Sequence, residues 1–367
     1  MKIFYDYQIF SSQRYGGISR YFHEISKIIP TIEGDSVEVF APLHINEYIH
    51  RSATTRIIGI KAPQPRFTRL ATRIINSSLT RLRSHSTHDT DIFHETYYSL
   101  LDRAPRSAKR IITVHDMIHE RFPESFSRND ATHRAKLAAL RRADHIICIS
   151  ENTRRDLIET TDTPVEKTSV VRHGYSLTTT LRAAPSPIFQ VPYILYVGAR
   201  AGYKNFEGLL AAYARSSLQN EFLLVCFGGG DPTPHESSSI QSFGINPANI
   251  VFLSGSDSTL SSLYASASAF VYPSLYEGFG IPPLESMSFG CPVICSNASS
   301  MPEVVGDAAE LFNPNDLDSM RTALERVLSS ADRSQQLVAL GYERIKLFSW
   351  EKCARETLDI YKHVLQY

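Results

Sequence analysis

The sequence predicts an α/β protein of two doubly wound domains, each a parallel sheet with helices on both faces, and three observations predict it. Strand-like apolar runs alternate with segments of helical period along most of the chain. The alternation breaks at residues 179–192, where three prolines and no periodicity read as a linker, and then restarts. A chain of 367 residues also exceeds what one ordinary core holds.

The elements follow in order. Lys2–Tyr7 reads as the first strand. Gly17–Ile29 reads as a helix, with Ile18, Tyr21, Phe22, Ile25 and Ile28/Ile29 at spacings of three and four. Strand-like runs recur at Ser36–Phe40, Ile92–His94, Arg110–His115, His145–Ser150 and Val170–Arg172. Ser150 stands where an N-cap would open the helix that follows. Beyond the linker come strands at Tyr193–Val197, Phe222–Phe227, Ile250–Leu253, Ala269–Tyr272 and Pro292–Ser296. Helices are expected at Phe206–Ala214, Thr259–Ala267, Pro283–Phe289 and Leu317–Ser329. Strands joined by helices pair in parallel, and ligands of such sheets bind outside the carboxyl ends of the strands. The domains are therefore expected at 1–178 and 193–349, facing each other across a cleft.

Composition narrows the class. A hydrophobic content of 43% with 21% charged residues is that of a soluble globular protein. No run approaches the ~20 apolar residues of a membrane span. Met1 leads straight into a strand pattern without a leader, so a cytoplasmic protein is expected. The five cysteines, Cys148, Cys226, Cys291, Cys295 and Cys353, lack metal-ligand spacing and read as buried free thiols. Net charge is zero, but residues 1–190 carry 27 Lys and Arg against 20 Asp and Glu, and the remainder 11 against 18. A basic first half and an acidic second half suit two domains that meet different partners.

The chemistry lies at strand ends. After the strand Ala269–Tyr272, a loop containing Glu277, Gly278, Phe279, Gly280 and Ile281 leads into a helix opened by Pro282-Pro283. Backbone N–H groups at a helix N-terminus suit a diphosphate or a sugar hydroxyl. Glu277 and Glu285 can accept hydrogen bonds from ligand hydroxyls. Arg200 and Lys204 follow the strand Tyr193–Val197 on a short loop, where two cations match a diphosphate and a departing nucleotide. Gly16 and Gly17 open the first helix and permit close backbone approach. Gly228-Gly229-Gly230 is a similar strand end. His115 and Asp116 follow one strand of the first domain, and His94 and Glu95 end the strand before it; both pairs are expected on the sugar or acceptor side.

These segments together resemble the family-4 glycosyltransferases of the GT-B fold. The resemblance is carried by Gly16-Gly-Ile-Ser-Arg-Tyr21, Thr113-Val-His-Asp116, Cys148 through Leu157, Tyr196-Val-Gly-Ala-Arg200 with Lys204-Asn205, and Pro273 through Gly290 with acidic residues at 277 and 285. It implies a retaining enzyme that takes a nucleotide-diphosphate sugar and needs no metal or other cofactor. It implies that Glu277 contacts donor sugar hydroxyls and Glu285 the nucleotide ribose. Arg200 and Lys204 would hold the diphosphate, with the amides of Gly278–Ile281 and the Gly16-Gly17 loop in support. His115 would line the sugar, and residues 350–367 would form a helix crossing back onto the first domain. Many members have Pro-Arg-Lys-Asn where this chain has Gly202-Tyr-Lys-Asn205, so the second cation must come from Arg200.

The expected donor is GDP-mannose-like, with a UDP-hexose transferase or a nucleotide-sugar epimerase as alternatives. The expected acceptor is a saccharide, lipid-linked, in cell-surface polysaccharide synthesis. Residues 51–110 hold twelve Lys and Arg against four Asp and Glu. Within them, 65–83 reads as a basic amphipathic helix able to lie on an anionic membrane face. A nicotinamide oxidoreductase would show GxGxxG after a strand, and neither glycine cluster has that spacing. Nucleic-acid binding is not expected, for no recognition motif accompanies the basic residues.

Overall fold

A computed structural model describes the whole chain except residues 50–51, 63–67, 87–88, 128, 176–187, 201 and 367. Most of the expected linker therefore lies outside the described residues. Contacts divide the chain into two units, 1–174 with 349–367, and 175–348.

Among the described residues, unit 1 is built on seven parallel strands: β1 Lys2–Tyr5, β2 Ser36–His44, β3 Arg56–Lys61, β4 Ile92–Glu95, β5 Lys109–Val114, β6 His145–Cys148 and β7 Thr168–Val170. Their order is β3-β2-β1-β4-β5-β6-β7. Chain order reverses between β1 and β4, which places a switch point at their carboxyl ends. β1 and β4 are paired in parallel, with Ile3 opposite Ile92 and Tyr5 opposite His94. The helix Gly17–Glu33 follows β1 and buries Tyr21, Phe22, Ile25 and Ile29 on one face. Against them lie Trp350, Leu358 and Tyr361 of the last helix, Trp350–Gln366. Gly174 stands where the chain leaves unit 1. A Cβ there would lie 2.3 Å from the backbone nitrogen of Trp350, so only glycine permits this approach.

Among the described residues, unit 2 repeats the plan with six parallel strands: β8 Tyr193–Val197, β9 Leu223–Phe227, β10 Ile250–Leu253, β11 Ala269–Tyr272, β12 Val293–Ser296 and β13 Ala309–Phe312. The order β10-β9-β8-β11-β12-β13 again reverses next to the first strand. The central strands are buried on both faces, as sheets covered by helices require. Both sheets are thus the expected doubly wound form.

Two strands escape the sequence pattern. β3 is an edge strand with exposed residues, and β13 is short and carries Glu310, whose carboxylate is held by Arg326 and Arg333. The expected Val170–Arg172 strand lies at 168–170 instead. Ser150 does cap its helix, accepting from the Thr153 N–H. All five cysteines are free and buried, and burial pushes the Cys148 and Cys291 thiols up to about 12.

Candidate active site

The end of β11 is held from three directions. The Leu275 N–H donates to the Tyr203 carbonyl at 2.7 Å. The Glu277 N–H donates to Ser299 Oγ at 2.8 Å, and Ser300 Oγ donates to the carbonyls of Glu277 and Phe279 at 2.9 and 2.8 Å. Gly280 takes φ +113°, and a Cβ on it would lie 2.3 Å from Met301 Cε. The positive φ favours glycine there, and a larger residue would also push the Met301 methyl aside. The helix Ile281–Ser288 begins immediately after, with prolines in its first turn and no side chain capping it.

Lys204 ends a short turn after β8 and reaches this loop. Its Nζ is 2.7 Å from Glu277 Oε1 and lies over the rings of Tyr272 and Tyr203, at 5.5 and 5.2 Å. Asn205 fixes the turn, donating from Nδ2 to the carbonyls of Pro273 and Pro314. The Lys204 and Glu277 side chains keep 17% and 11% exposure, so the pair is sheltered but reachable. Burial, then the Glu277 charge, push the Tyr272 phenol well up, so it stands beside the pair as a neutral hydroxyl. Glu285 is buried on the following helix, where its charge adds to burial in raising the Tyr264 phenol.

Arg200 has a different setting. Its side chain is 3% exposed and pairs with Glu236 at 2.7 Å. It also donates to the carbonyls of Gly228, Gly230 and Asp231, at 2.6, 3.1 and 2.9 Å. The guanidinium lies 4.8 Å from the Phe252 ring centre. Expected at a diphosphate, Arg200 instead spends its fork of donors on the glycine turn after β9. A planar guanidinium with fixed donors is suited to holding such a fan of carbonyls. Glu236 is positioned for this by a capping box with Thr233.

In unit 1, His115 follows β5 as expected, but it is buried among Tyr21, Phe22 and His173. Neither ring nitrogen has a hydrogen-bond partner. Burial, and then the neighbouring His173, push its pKa well down, so the ring is neutral. His94 and Glu95 are closed off from an acceptor. His94 bridges Tyr361 Oη (2.5 Å) and Thr113 Oγ1 (2.9 Å), tying β4 and β5 to the last helix. Glu95 holds Arg142 through both oxygens, at 2.7 and 2.5 Å. Asp116 stays partly exposed, with Oδ1 accepting from the Ile118 N–H. Gly16 is the N-cap of the first long helix, whose Ser19 N–H donates to Gln13 Oε1.

The sequence did not single out Tyr272, Glu236 or the loop-holding role of Ser299 and Ser300. Their only signal is position, at a strand end or a helix start beside a glycine loop. Among the described residues, no cluster of His, Cys, Asp and Glu could hold a metal ion.

The likenesses to known proteins agree with this layout. The family described as Glycosyltransferase Family 4 matches residues 15–179, and that described as Glycosyl transferases group 1 matches residues 182–344. The O-antigen chain mannosyltransferase B of Escherichia coli is 31% identical over 284 residues, covering 74% of each chain. The serotype-specific mannosyltransferase WbdA of Escherichia coli is 30% identical over 245 residues, which are 63% of this chain and 30% of that longer one. In fold, the chain is similar to a sucrose-phosphate synthase from Thermosynechococcus elongatus, with TM-score 0.77, 21% identity, and coverage of 100% and 99% of the two chains. It is also similar to WaaG, a glycosyltransferase involved in lipopolysaccharide biosynthesis, with TM-score 0.73, 16% identity, and coverage of 98% and 99%. Two Rossmann-like units with the Lys204–Glu277 pair at a strand end, and relatives matching both halves, lead to one conclusion: the chain is a glycosyltransferase and belongs to family 4, with the GT-B fold.

Proposed function

We propose that the enzyme transfers a hexosyl residue, with retention, from a GDP-mannose-like donor to a lipid-linked saccharide in cell-surface polysaccharide synthesis. The observation that carries the donor site is the sheltered Lys204–Glu277 pair beside an uncapped helix start. The mannosyl choice is supported by the relatives, an O-antigen chain mannosyltransferase and a serotype-specific mannosyltransferase.

In this reading the departing diphosphate gathers negative charge as the glycosidic bond breaks. Lys204 and the N–H groups about Gly278–Ile281 meet that charge, in place of a divalent cation. Glu277 orients sugar hydroxyls and holds Lys204 in place before the donor arrives. Glu285 takes the ribose. Arg200 acts at one remove, by fixing the glycine turn 228–230 against which a nucleotide base would lie. The diphosphate itself takes up the acceptor proton, so no protein nucleophile is required. His115, neutral and with both ring nitrogens unpartnered, is kept for a saccharide hydroxyl, and Asp116 follows it in sequence.

The described part of the basic stretch forms the helix Arg69–Ser86, without an acidic residue, while residues 65–67 lie outside the described residues. Leu70 and Ile74 on it are 69% and 58% exposed. Apolar side chains interleaved with arginines suit the anionic inner face of the cytoplasmic membrane. No described helix is long and apolar enough to cross it.

A thermal-shift panel of nucleoside diphosphates tests the donor. GDP at one hundred times its Kd should add about 2.7 kcal/mol of stability. Stabilisation by UDP alone would replace the donor, and no response to any nucleotide would remove the reading. Turnover undiminished by a chelator is expected. Salt-sensitive sedimentation with anionic liposomes is expected for the helix.

A further inference from the structure

A serine, threonine, asparagine or aspartate at a helix N-cap ordinarily turns its side-chain oxygen onto the first N–H groups of its own helix. In unit 2, Thr233, Ser256, Asp316 and Ser330 do so. Asn205 and Ser300 do not. Asn205 is the N-cap of the helix Phe206–Arg215 and Ser300 that of the helix Met301–Val305, and neither side chain makes a cap hydrogen bond. Both turn instead to the loop that follows β11. Asn205 Nδ2 donates to the Pro273 carbonyl at 3.2 Å, and to that of Pro314 at 2.9 Å. Ser300 Oγ lies 2.9 and 2.8 Å from the carbonyls of Glu277 and Phe279.

Backbone geometry picks out the same places. Among the described residues, two that are not glycine take a positive φ: Asn205 at 55° and Ser299 at 52°. Asparagine visits the left-handed region with some ease, whereas serine does not. Ser299 Oγ accepts the Glu277 N–H at 2.8 Å. Gly208 leaves room for the Asn205 carboxamide, since a Cβ on it would lie 2.4 Å from Asn205 Oδ1. The two strained residues bracket the ion pair. Asn205 follows Lys204 in the chain, Ser299 holds the backbone of Glu277, and the Lys204 and Glu277 side chains meet at 2.7 Å. Strained backbone persists where its surroundings over-determine it, and it gathers at functional sites. Three residues thus forgo a cap or a relaxed backbone to fix the main chain beneath one pair of side chains.

We propose that Asn205, Ser299 and Ser300 are positioning residues. They hold the main chain of Lys204 and Glu277, so that these side chains exchange each other for the donor while the loop stays still. Donors fixed in advance need no reorganisation as charge develops on the leaving group. The inference deepens the transferase reading above and rests on it for the reaction, though not for the hold on the loop.

The test compares the full chain with Asn205→Gly, Ser299→Gly, Ser299→Ala and Ser300→Ala, and with Ser330→Ala, which removes an ordinary cap of the same unit. Three quantities are measured: the melting temperature, nucleotide release from GDP-mannose and from UDP-glucose without acceptor, and amide exchange at Gly278–Ile281. In the first four variants kcat should fall at least tenfold, with KM for the donor within threefold of the wild type. Ser299→Gly should melt above Ser299→Ala, because glycine accepts the left-handed backbone that alanine resists. Both should nevertheless lose turnover alike, since both lack the hydroxyl. Ser330→Ala should melt below the wild type and keep its kcat. Exchange at Gly278–Ile281 should quicken at least tenfold in the first four variants and stay unchanged in Ser330→Ala. Turnover that follows melting temperature across the set, as a purely structural role gives, would overturn the proposal. Unchanged exchange in Ser299→Gly would overturn it too. A wild-type chain that releases neither nucleotide would sink the donor reading, and the exchange comparison would then decide the hold on the loop by itself.

Discussion

Lowering the pH from 7.5 to 5.5 should weaken unit 1 more than exposed histidines would allow. Burial pushes His94 and His173 down to about 3, and His145 down to about 4. These rings stay neutral in the folded unit across that range, whereas in the unfolded chain they take up protons below about 6.5. Stability is therefore full above about pH 6.5 and is lost as the pH falls toward 3 or 4. Between pH 7.5 and 5.5 each ring costs about 1.4 kcal/mol, so three cost about 4 kcal/mol. Glu95 opposes them. Burial outweighs the pull of Arg142 and raises its carboxyl to about 7, so the folded unit binds this proton first and regains about 2 kcal/mol. The net loss is about 2 kcal/mol, and His115, shifted down by burial, adds to it. The assay is built in. Trp350, the single tryptophan, lies with its ring 5.7 Å from that of His173 and 6.4 Å from that of Tyr21. Its fluorescence during urea unfolding should show a midpoint lower at pH 5.5 by about 1 M. His115→Phe should reduce the pH dependence, since it removes a ring that burial keeps neutral without removing a hydrogen bond. A midpoint that does not move between the two pH values would refute the reasoning.

Three further outcomes follow from the geometry of unit 2. Lys204→Ala should lower turnover by about 10²–10³ at saturating donor, the scale of losing one charge-stabilising donor, and near-full turnover would end its assignment. Gly280→Ala should destabilise unit 2 by about 1–3 kcal/mol, from its positive φ and the collision with Met301; Met301→Ala should recover the steric part only, and calorimetry would separate the two. Arg200→Lys should loosen the glycine turn, measured as faster amide exchange at Gly228–Asp231, because a lysine cannot span three carbonyls and a carboxylate at once. Unchanged exchange there would show that the fan is dispensable.

Much of the fold was legible because local pattern and tertiary demand coincide. Strands buried on both faces must be apolar runs, which is why Tyr193–Val197 and Ala269–Tyr272 fall where the sequence puts them. Edge strands lack that demand. Arg56–Lys61 is exposed and shows no run to read, and Ala309–Phe312 is interrupted by a glutamate that two arginines hold.

For the candidate site, the sequence by itself determined where a strand end gives way to a loop leading into a helix, since glycine and proline at fixed places around Glu277 announce it. It determined too that Lys204 follows the neighbouring strand end. Only the tertiary structure decided what each charged group meets. Lys204 and Arg200 look alike as cations on one loop, four residues apart. One meets Glu277 with part of its surface open, and the other is buried against Glu236 and three backbone carbonyls. His94 and Glu95 likewise look like site residues at a strand end until Tyr361 and Arg142, far along the chain, close over them. The physical reason is that a charged or polar group acts through whatever lies within hydrogen-bond distance of it, and those partners are set by packing between distant segments, which no local pattern records.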